Sequence, residues 1–537
     1  MKRWVWLLLL ATLSGCARAQ PERGWLYSAG DWAVPPAYHG NPWAPGGVGV
    51  AASYVYEPLF FFVPEGNRFL PRLGERFEEG PDRITVHLKR GVRWHDGHPF
   101  TSRDVECTFL LGRLKNLEVW EYLDRLDCPD EHTVVFRFRR RSPVNRLRAL
   151  TEPITSAQHL FGRFAERGEE LTRARQVLFR EHPELPVGTG PFRLTRVTPS
   201  DMQLDRFEGY HGVNRLKGVR LVRWGRNEVV WSYLYSGGVD AISPACPYDL
   251  ARAVLRRNPQ MRLVTPSDLS EMGLLLNCRH PFLRDVRVRR ALAHLLDRDQ
   301  IRTIACTMGV TVQDTNLGLV QSQAPLWLSP EALARTPRTP HDPGLARQLL
   351  REAGVRLEKP LEIMAPSGFT DLALLAEVAA AQMQAAGLPA RVRLVPGELY
   401  ASFLQDGRFD LAASFGSQMG RWVHPSVSLS RFFYNDAPLT AGAGLPRVRQ
   451  GMDTHDMVVR LLRETDPARS RELVERLTLA NSRDLPFLPC FEKRLMIFVQ
   501  DGVRVSGWPA ADDPMWSAAP LGVESLYCAM VVEGLLR

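Results

Sequence analysis

Residues 86–105 read VHLKRGVRWHDGHPFTSRDV, and this stretch carries most of the information about the fold. It begins in an alternation in which Val86 and Leu88 are apolar and their neighbours polar, a period of two that predicts a strand with one buried face. At its other end Thr101 and Asp104 have the spacing of a capping box, with Asp where Glu or Gln is usual. The stretch therefore predicts a strand, a turn and the start of a helix.

Further strands and helices are predicted on the C-terminal side of this stretch. A second alternating strand is predicted over 134–138. Asp342-Pro343 has the residues that cap and begin a helix, and Gly354 is suited to end it. A longer helix is predicted from about 371 to Gly387, followed by strands over 391–394 and 409–415. Strands that alternate with helices predict an α/β fold with a largely parallel sheet.

The N-terminus has the layout of a signal peptide. Lys2 and Arg3 precede an apolar run over 4–13 that is too short to cross a bilayer. The run ends in Leu-Ser-Gly-Cys at 13–16, which resembles the lipobox of bacterial lipoproteins and predicts a leader at 1–15 and a lipid on Cys16. Ordinary cleavage after Ala17-Arg18-Ala19 is the alternative. Both interpretations predict export, and the first predicts anchoring to a membrane.

The charge and cysteine content exclude several classes of protein. Without Lys2 and Arg3, 66 basic and 59 acidic groups leave a net charge of +7. Because the arginines are interspersed with acidic residues, no nucleic-acid partner is predicted. The seven cysteines after Cys16 are widely and irregularly spaced, without a Cys-x-x-Cys pair, so neither a metal site nor a cofactor is predicted.

Four blocks of the chain resemble the family 5 extracellular solute-binding proteins, which serve importers of oligopeptides, dipeptides, nickel chelates and some oligosaccharides. In chain order they are YEPL at 56–59 with LPRL at 70–73, the stretch 86–105, PVGTGPF at 186–192, and RDVRVRRAL at 284–292 followed by Asp297-Arg298. Weaker similarities follow at Asp342-Pro343, Phe409-Asp410 and DLPFLP at 484–489. The resemblance spans nearly the whole chain after the leader.

The resemblance implies an α/β fold, namely a two-lobed periplasmic-binding-protein clamp of type II, similar to cluster C, with an additional third domain. By analogy, lobe I comprises 16–60, 188–266 and 495–537, domain II comprises 61–187, and lobe III comprises 267–494. Such a clamp closes on a ligand that contacts both lobes, and the closed shape is what a permease recognises. The implied partners are an ABC permease and its ATPase, with the protein monomeric and lipid-anchored on the periplasmic or extracellular face of the membrane.

Two glycine-containing motifs have both a chemical and a structural interpretation. His95-Asp96-Gly97 could be a catalytic acid–base pair, but a tight turn between strand and helix is favoured. Gly188-Thr189-Gly190 resembles a phosphate-binding loop, but no Gly-Lys-Ser/Thr follows, which favours a turn between lobes. A secreted hydrolase is the competing class of protein. It is disfavoured because the sequence has neither a Gly-x-Ser-x-Gly nor a His-Glu-x-x-His motif.

The ligand class is less well determined than the fold. In oligopeptide-binding members of the family, the segment after the strand that begins with Phe-Asp contains a Trp and an Asp that pairs with the peptide's amino terminus. The corresponding segment here, 415–425, contains Trp422 but no acidic residue. A peptide is still the first prediction, an oligosaccharide stacked on aromatic rings is the alternative, and a nickel chelate near His424 is third.

The residues predicted to line the cleft combine the family's pocket segments with suitable side-chain chemistry. Aromatic rings suit stacking, and amide or guanidinium groups suit hydrogen bonding. The predicted ligand-binding residues are Trp43, Tyr56, Asn227, Gln418, Arg421 and Trp422. Trp32, Trp224 and Trp231 are further candidates for an aromatic platform.

Overall fold

The computed structural model describes residues 22–44, 47–115, 117–165, 177–178, 184–224, 227–244, 247–306, 308–312, 314–433 and 443–537. Cys16 and the predicted leader lie outside these ranges. The strands and helices form three modules, one with apolar cores on both faces of its sheet and two with a main core each. None of the helices in the described part of the chain combines the length and apolar character that a membrane crossing requires.

The terminal module contains segments from both ends of the described chain. Its four-stranded sheet has the order Trp25–Gly30, Gly218–Arg223, Asp201–Arg206 and Phe192–Val197, and its three-stranded sheet the order Ala241–Ile242, Ile497–Gln500 and Met261–Val264. Its helices are Gly49–Ala51 (3-10), Ala52–Val55, Asn227–Ser236, Tyr248–Arg257, Pro514–Leu521 (3-10) and Val523–Val532. The first two strands pair in parallel, so their carboxyl ends lie side by side at one edge.

The antiparallel module contains the stretch 86–105. Its sheet has the order Gly74–Glu79, Arg83–Leu88, Thr133–Phe138 and Leu123–Asp130, accompanied by the strand pairs Phe60–Val63 with Arg68–Pro71 and Glu57–Pro58 with Pro153–Ile154. Its helices are Ser102–Gly112, Arg113–Lys115 (3-10), Glu118–Glu121 (3-10), Asn145–Leu150 and Gln158–Ala165. The predicted capping box is confirmed, because Thr101 Oγ1 accepts the Arg103 N–H at 3.3 Å and Asp104 Oδ2 accepts the Thr101 N–H at 2.7 Å.

The six-stranded module has a sheet with apolar cores on both faces. The sheet order is Val310–Thr311, Phe487–Arg494, Ser267–Leu276, Leu411–Gln418, Leu361–Pro366 and Ala390–Val395. Its helices are Val286–Leu295, Arg298–Ala305, Gln321–Gln323 (3-10), Ala324–Trp327, Pro330–Ala334, Pro343–Ala353, Thr370–Ala385, Gly397–Gln405, Gly420–Trp422 (3-10), Pro425–Phe433, Thr454–Leu461 and Pro467–Asp484, with a strand pair Val448–Arg449 and Met452–Asp453. Leu274 packs into one core and Leu275 into the other, as expected for neighbours on a strand.

The predicted α/β class is confirmed, but the prediction of a largely parallel sheet is wrong. Among the five strand pairs of the six-stranded sheet, the two that Leu361–Pro366 makes are parallel and the other three are antiparallel. The parallel strands Leu361–Pro366 and Ala390–Val395 are joined by the helix Thr370–Ala385, because parallel neighbours need a crossover connection. The strands Ser267–Leu276 and Phe487–Arg494 run in opposite directions, because the chain enters this module along the first and leaves along the second.

A pair of buried carboxyl groups lies close to this double crossing between modules. Glu271 and Glu492 face each other in register on the two crossing strands, and each residue is 2% exposed. Glu271 Oε1 accepts the Gln321 N–H at 2.8 Å, and Glu492 Oε2 accepts the Ser322 N–H at 3.0 Å. Burial, reinforced by the Glu492 carboxylate, raises the pKa of Glu271 to about 8.

Candidate functional site

A cavity with a volume of about 1130 Å³, hereafter the larger cavity, lies where the terminal and antiparallel modules meet. Its apolar wall includes Trp32, Tyr56 and the run Phe60-Phe61-Phe62. Its charged side chains have both signs and are Asp31, Glu57, Arg72, Glu152 and Arg223. The cavity is slightly larger than the sites of about 300–1000 Å³ that usually enclose small ligands.

Asp31 and Arg223 reach this cavity from adjacent parallel strands. Gly30 pairs with Arg223 at the carboxyl end of both strands, and Asp31 is the next residue. Ligands of α/β proteins commonly bind at the carboxyl ends of parallel strands, because side chains that follow these ends project into a shared crevice. A negatively charged residue, Asp31, and a positively charged one, Arg223, are therefore placed together at this edge of the sheet.

Tyr56 is held in the wall by the Gly188-Thr189-Gly190 turn. The Gly190 N–H donates to the Val55 carbonyl at 2.9 Å, and a Cβ on Gly188 would lie 2.0 Å from that oxygen. Glycine is therefore required for the turn to approach the helix end that precedes Tyr56. Tyr56 is 5% exposed, and burial raises the pKa of its hydroxyl.

The same turn also forms the hydrogen bonds that hold the His95 ring. The Gly188 N–H donates to His95 Nδ1 at 3.3 Å, and Nε2 lies 3.0 Å from the Gly190 carbonyl, so the geometry places the ring proton on Nε2. Burial lowers the pKa of His95 to about 4, which keeps the ring neutral. Gly97 has a φ of +91°, and Asp96 Oδ1 accepts the His98 N–H at 3.2 Å. These contacts support the interpretation of His95-Asp96-Gly97 as a turn.

Glu57 and Arg72 form a buried charged layer at one side of the larger cavity. Glu57 accepts hydrogen bonds from the Tyr210 hydroxyl at 2.7 Å and from His211 Nε2 at 2.9 Å. Arg72, 6% exposed, pairs through Nη1 with Glu533 at 2.7 Å. Its Nη2 has no hydrogen-bond partner among the described residues. One nitrogen of the Arg72 guanidinium therefore has an N–H donor that is not used by the described residues beside the cavity.

A second cavity, of about 700 Å³, lies between the antiparallel and six-stranded modules. Trp422 lines it and packs in one apolar cluster with Phe62, Val144 and Leu147. Phe62 and Leu147 also line the larger cavity, so the two cavities share a wall.

A polar contact holds Trp422 at this wall. Its Nε1 donates to Glu118 Oε2 at 3.0 Å, and Glu118 Oε1 accepts from Arg148 Nη2 at 2.6 Å. The Arg148 guanidinium lies 5.3 Å from the Trp422 ring centre and is 4% exposed. Trp422 thereby connects two modules beside the smaller cavity.

The structure brings together some of the predicted site residues and not others. Tyr56 lines the larger cavity and Trp422 the smaller one. Trp43 packs in a core with Cys107 and Phe161, and its Nε1 donates to Ser156 Oγ at 2.7 Å, so it lines neither cavity.

The three other predicted residues have these positions. Gln418 ends a strand, donates its N–H to Ser428 Oγ at 3.1 Å and lines neither cavity. Asn227 begins the helix Asn227–Ser236, and Arg421 lies in the 3-10 turn Gly420–Trp422. The side chains of these last two lie outside the described part of the structure.

Comparison with known proteins places this arrangement in a family. The model of the family described as "Bacterial extracellular solute-binding proteins, family 5 Middle" matches residues 68–438. A protein of Brucella ovis, named as an ABC transporter peptide-binding protein, is 27% identical over 87% of this chain and 85% of its own. Di/tripeptide-binding protein 2 of Pseudomonas aeruginosa is 25% identical over 68% of this chain and 70% of its own.

A solved structure confirms the expected fold. The periplasmic oligopeptide-binding protein of Thermotoga maritima, solved with bound mannohexaose, superposes with a TM-score of 0.70 at 21% identity and covers 97% of this chain and 99% of its own. The α/β clamp that the sequence blocks implied is therefore the fold of this protein. With the family description matching more than half of its length, the chain belongs to the bacterial extracellular solute-binding proteins of family 5 and functions in solute binding.

Proposed function

We propose that this protein is the extracytoplasmic binding component of an ABC importer and that its ligand is a short peptide. The observation that carries the proposal is the larger cavity, whose wall combines apolar rings with acidic and basic side chains. A free peptide is zwitterionic, and opposite charges on one cavity wall complement its two ends. The peptide-binding names of the Brucella and Pseudomonas relatives point to the same class of ligand.

The wall of the larger cavity supplies the kind of acidic residue that the segment 415–425 lacks. Asp31 and Glu152 line the larger cavity, and either can attract the ammonium group of a peptide. A buried ammonium without a carboxylate partner would cost several kcal/mol, so the position of the acid matters more than the segment that supplies it. Arg72 and Arg223 on the same wall suit the peptide's carboxylate.

The modules correspond in this proposal to the parts of a clamp. The terminal module is lobe I, the antiparallel module is domain II, and the six-stranded module is lobe III, with boundaries near 60, 187, 266 and 494. A ligand in the larger cavity contacts lobe I and domain II. In this proposal, a closed form in which lobe III also contacts the ligand is the one that the ligand stabilises and that a permease and its ATPase recognise. The protein acts as a monomer without a cofactor and without catalysis.

An oligosaccharide is the second candidate ligand. Trp32, Tyr56 and the three consecutive phenylalanines give the larger cavity aromatic faces on which sugar rings can stack. The Thermotoga protein of the same fold holds mannohexaose.

A thermal-shift screen of the mature protein distinguishes these ligands. The probes are di- to pentapeptides, the same peptides with acetylated amino termini, gluco- and manno-oligosaccharides, and nickel chelates. A ligand that binds only the folded clamp stabilises it by about 2.7 kcal/mol at a hundred times its Kd. Stabilisation by free peptides supports the proposal, whereas stabilisation by sugars or nickel chelates alone would contradict it.

We expect Asp31→Asn to weaken binding of free peptides by about tenfold, because it removes a charge that attracts the ammonium group. Acetylated peptides should bind the variant and the wild type equally. The measurement is isothermal titration calorimetry. Asp124→Asn, which removes an exposed carboxylate of the antiparallel module that lines neither cavity, is the control. Equal weakening for free and acetylated peptides would show that Asp31 does not pair with the amine.

We further propose that Cys16 carries a lipid that anchors the protein to the membrane. Cys16→Ser is expected to move the protein from the membrane fraction to the soluble fraction, or to leave it unprocessed, because serine lacks the thiol that is acylated. Fractionation with mass measurement of the mature chain tests this expectation. Unchanged membrane retention and mature mass would refute the lipobox interpretation in favour of cleavage after Ala19.

A further inference from the structure

Three side chains with metal-ligand chemistry meet on the surface of the antiparallel module. Asp96 Oδ2 lies 2.6 Å from His159 Nε2, and Asp96 Oδ1 lies 3.2 Å from His98 Nδ1. The two imidazole rings stack with centres 3.9 Å apart and planes 18° apart. One donor atom from each residue lies within 4.8 Å of the other two.

The backbone on both sides of this cluster is fixed by hydrogen bonds. Asp96 and His98 flank Gly97 in a turn closed by the Trp94 N–H, which donates to the His98 carbonyl at 2.9 Å. His159 is the second residue of the helix Gln158–Ala165.

The capping residue Asp104 joins these two elements. Its Oδ2 accepts the Thr101 N–H, and its Oδ1 accepts the Gln158 N–H at 2.6 Å. The start of the second helix is thus tied to the helix that directly follows the turn. A fixed framework of this kind keeps donor atoms assembled before a metal arrives.

We propose that Asp96, His98 and His159 form a binding site for a divalent transition-metal ion of the zinc class. Two imidazole nitrogens and one carboxylate oxygen suit Zn²⁺, Ni²⁺ or Cu²⁺, whereas Ca²⁺ and Mg²⁺ prefer oxygen ligands alone. The side chains are 28%, 55% and 25% exposed, which leaves room for ion entry and for water in the remaining coordination positions. None of the three lines either cavity, so the site is separate from the proposed peptide site.

The simplest competing account is a His–Asp ion pair that binds no metal, and the same module provides a matched example. His87 Nε2 lies 3.4 Å from Glu78 Oε1, and the His87 side chain is 28% exposed. This pair is not part of a metal-capable group among the described residues. If a His–carboxylate pair alone were sufficient, the two positions would behave alike.

The test is titration of untagged mature protein with ZnCl₂ by isothermal titration calorimetry in a buffer that does not bind zinc. We expect one site per chain with micromolar or tighter affinity, weakened at least about tenfold by His159→Ala, His98→Ala or Asp96→Asn. His87→Ala should bind like the wild type. Far-ultraviolet circular dichroism checks that each variant is folded.

Cobalt provides a second readout that does not depend on heat. Bound Co²⁺ should produce visible absorption bands that are lost in His159→Ala and retained in His87→Ala. The proposal is overturned if the wild type shows no saturable site. It is also overturned if zinc binding survives His159→Ala unchanged, which would place the ion elsewhere, for example on a thiol. Neither the zinc titration nor the cobalt spectrum involves peptide binding. The metal-site proposal and the proposed function can therefore fail independently of each other.

Discussion

Gly188→Ala is expected to lower the free energy of unfolding by about 3 kcal/mol. An alanine Cβ at this position would lie 2.0 Å from the Val55 carbonyl oxygen and 2.7 Å from the Val55 carbonyl carbon. Both atoms belong to backbone that is held by the Gly190 N–H, so neither can yield without breaking the contact that places Tyr56. Calorimetric unfolding of the variant should show a lower midpoint for the transition that contains the terminal module.

Gly397→Ala is the matched control for this effect. A Cβ at Gly397 would meet nothing within 4 Å, and the residue begins the helix Gly397–Gln405. Alanine there should be neutral or slightly stabilising because it is the better helix former. If both variants unfolded at the same midpoint, the close approach of Gly188 to Val55 would not be a packing constraint.

Glu271→Gln is expected to make the protein more stable than the wild type at pH 8, by about 3–5 kcal/mol. Because the pKa of Glu271 is raised from 4.5 to about 8, the folded protein holds a proton that the unfolded chain releases. This contribution to stability is complete below pH 4.5 and is lost as the pH rises through 8. Glutamine resembles the protonated form and does not titrate, so the advantage of the variant should grow between pH 5 and pH 8.

Thermal unfolding of both proteins at several pH values between 5 and 9 provides the measurement. Glu358→Gln, an exposed change in the same module, should follow the wild type at every pH. A constant difference between Glu271→Gln and the wild type across this range would mean that Glu271 is ionised in the folded protein. The Glu271–Glu492 pair would then be held by charge–dipole contacts with the Gln321 and Ser322 N–H groups.

Local patterns predicted the elements well because the forces that decide them are local. The alternation around Val86 is a strand, the Thr101–Asp104 box caps a helix, and Asp342 caps another through the Leu345 N–H at 2.9 Å. Gly354 ends that helix with a φ of +65°, as its position predicted. The direction of strand pairing is a tertiary property, which is why the mixed sheet was not predicted.

The candidate site shows the same limit at the level of single residues. Trp43 and Tyr56 are aromatic, close in sequence and both 5% exposed, yet only Tyr56 lines a cavity. Which buried ring faces a cavity depends on neighbours far along the chain, such as Ser156 for Trp43. Asp31 and Arg223 were not predicted, because their proximity depends on parallel pairing of strands almost 200 residues apart. The local signal was a charged residue directly after Trp25–Gly30 and another at the end of Gly218–Arg223, but neither strand was predicted.

The terminal module combines segments from both ends of the chain, and this determines when the protein can finish folding. Ser28 Oγ donates to Glu524 Oε1 at 2.7 Å across 496 residues, and the Tyr54 hydroxyl donates to the same carboxyl group across 470. The sheet of the antiparallel module, by contrast, is complete within residues 74–138. Contacts between distant residues form slowly, because a long loop must close before they are made. Because the chain is synthesised from its N-terminus, the antiparallel module can therefore fold early, while the terminal module must wait for the helix Val523–Val532.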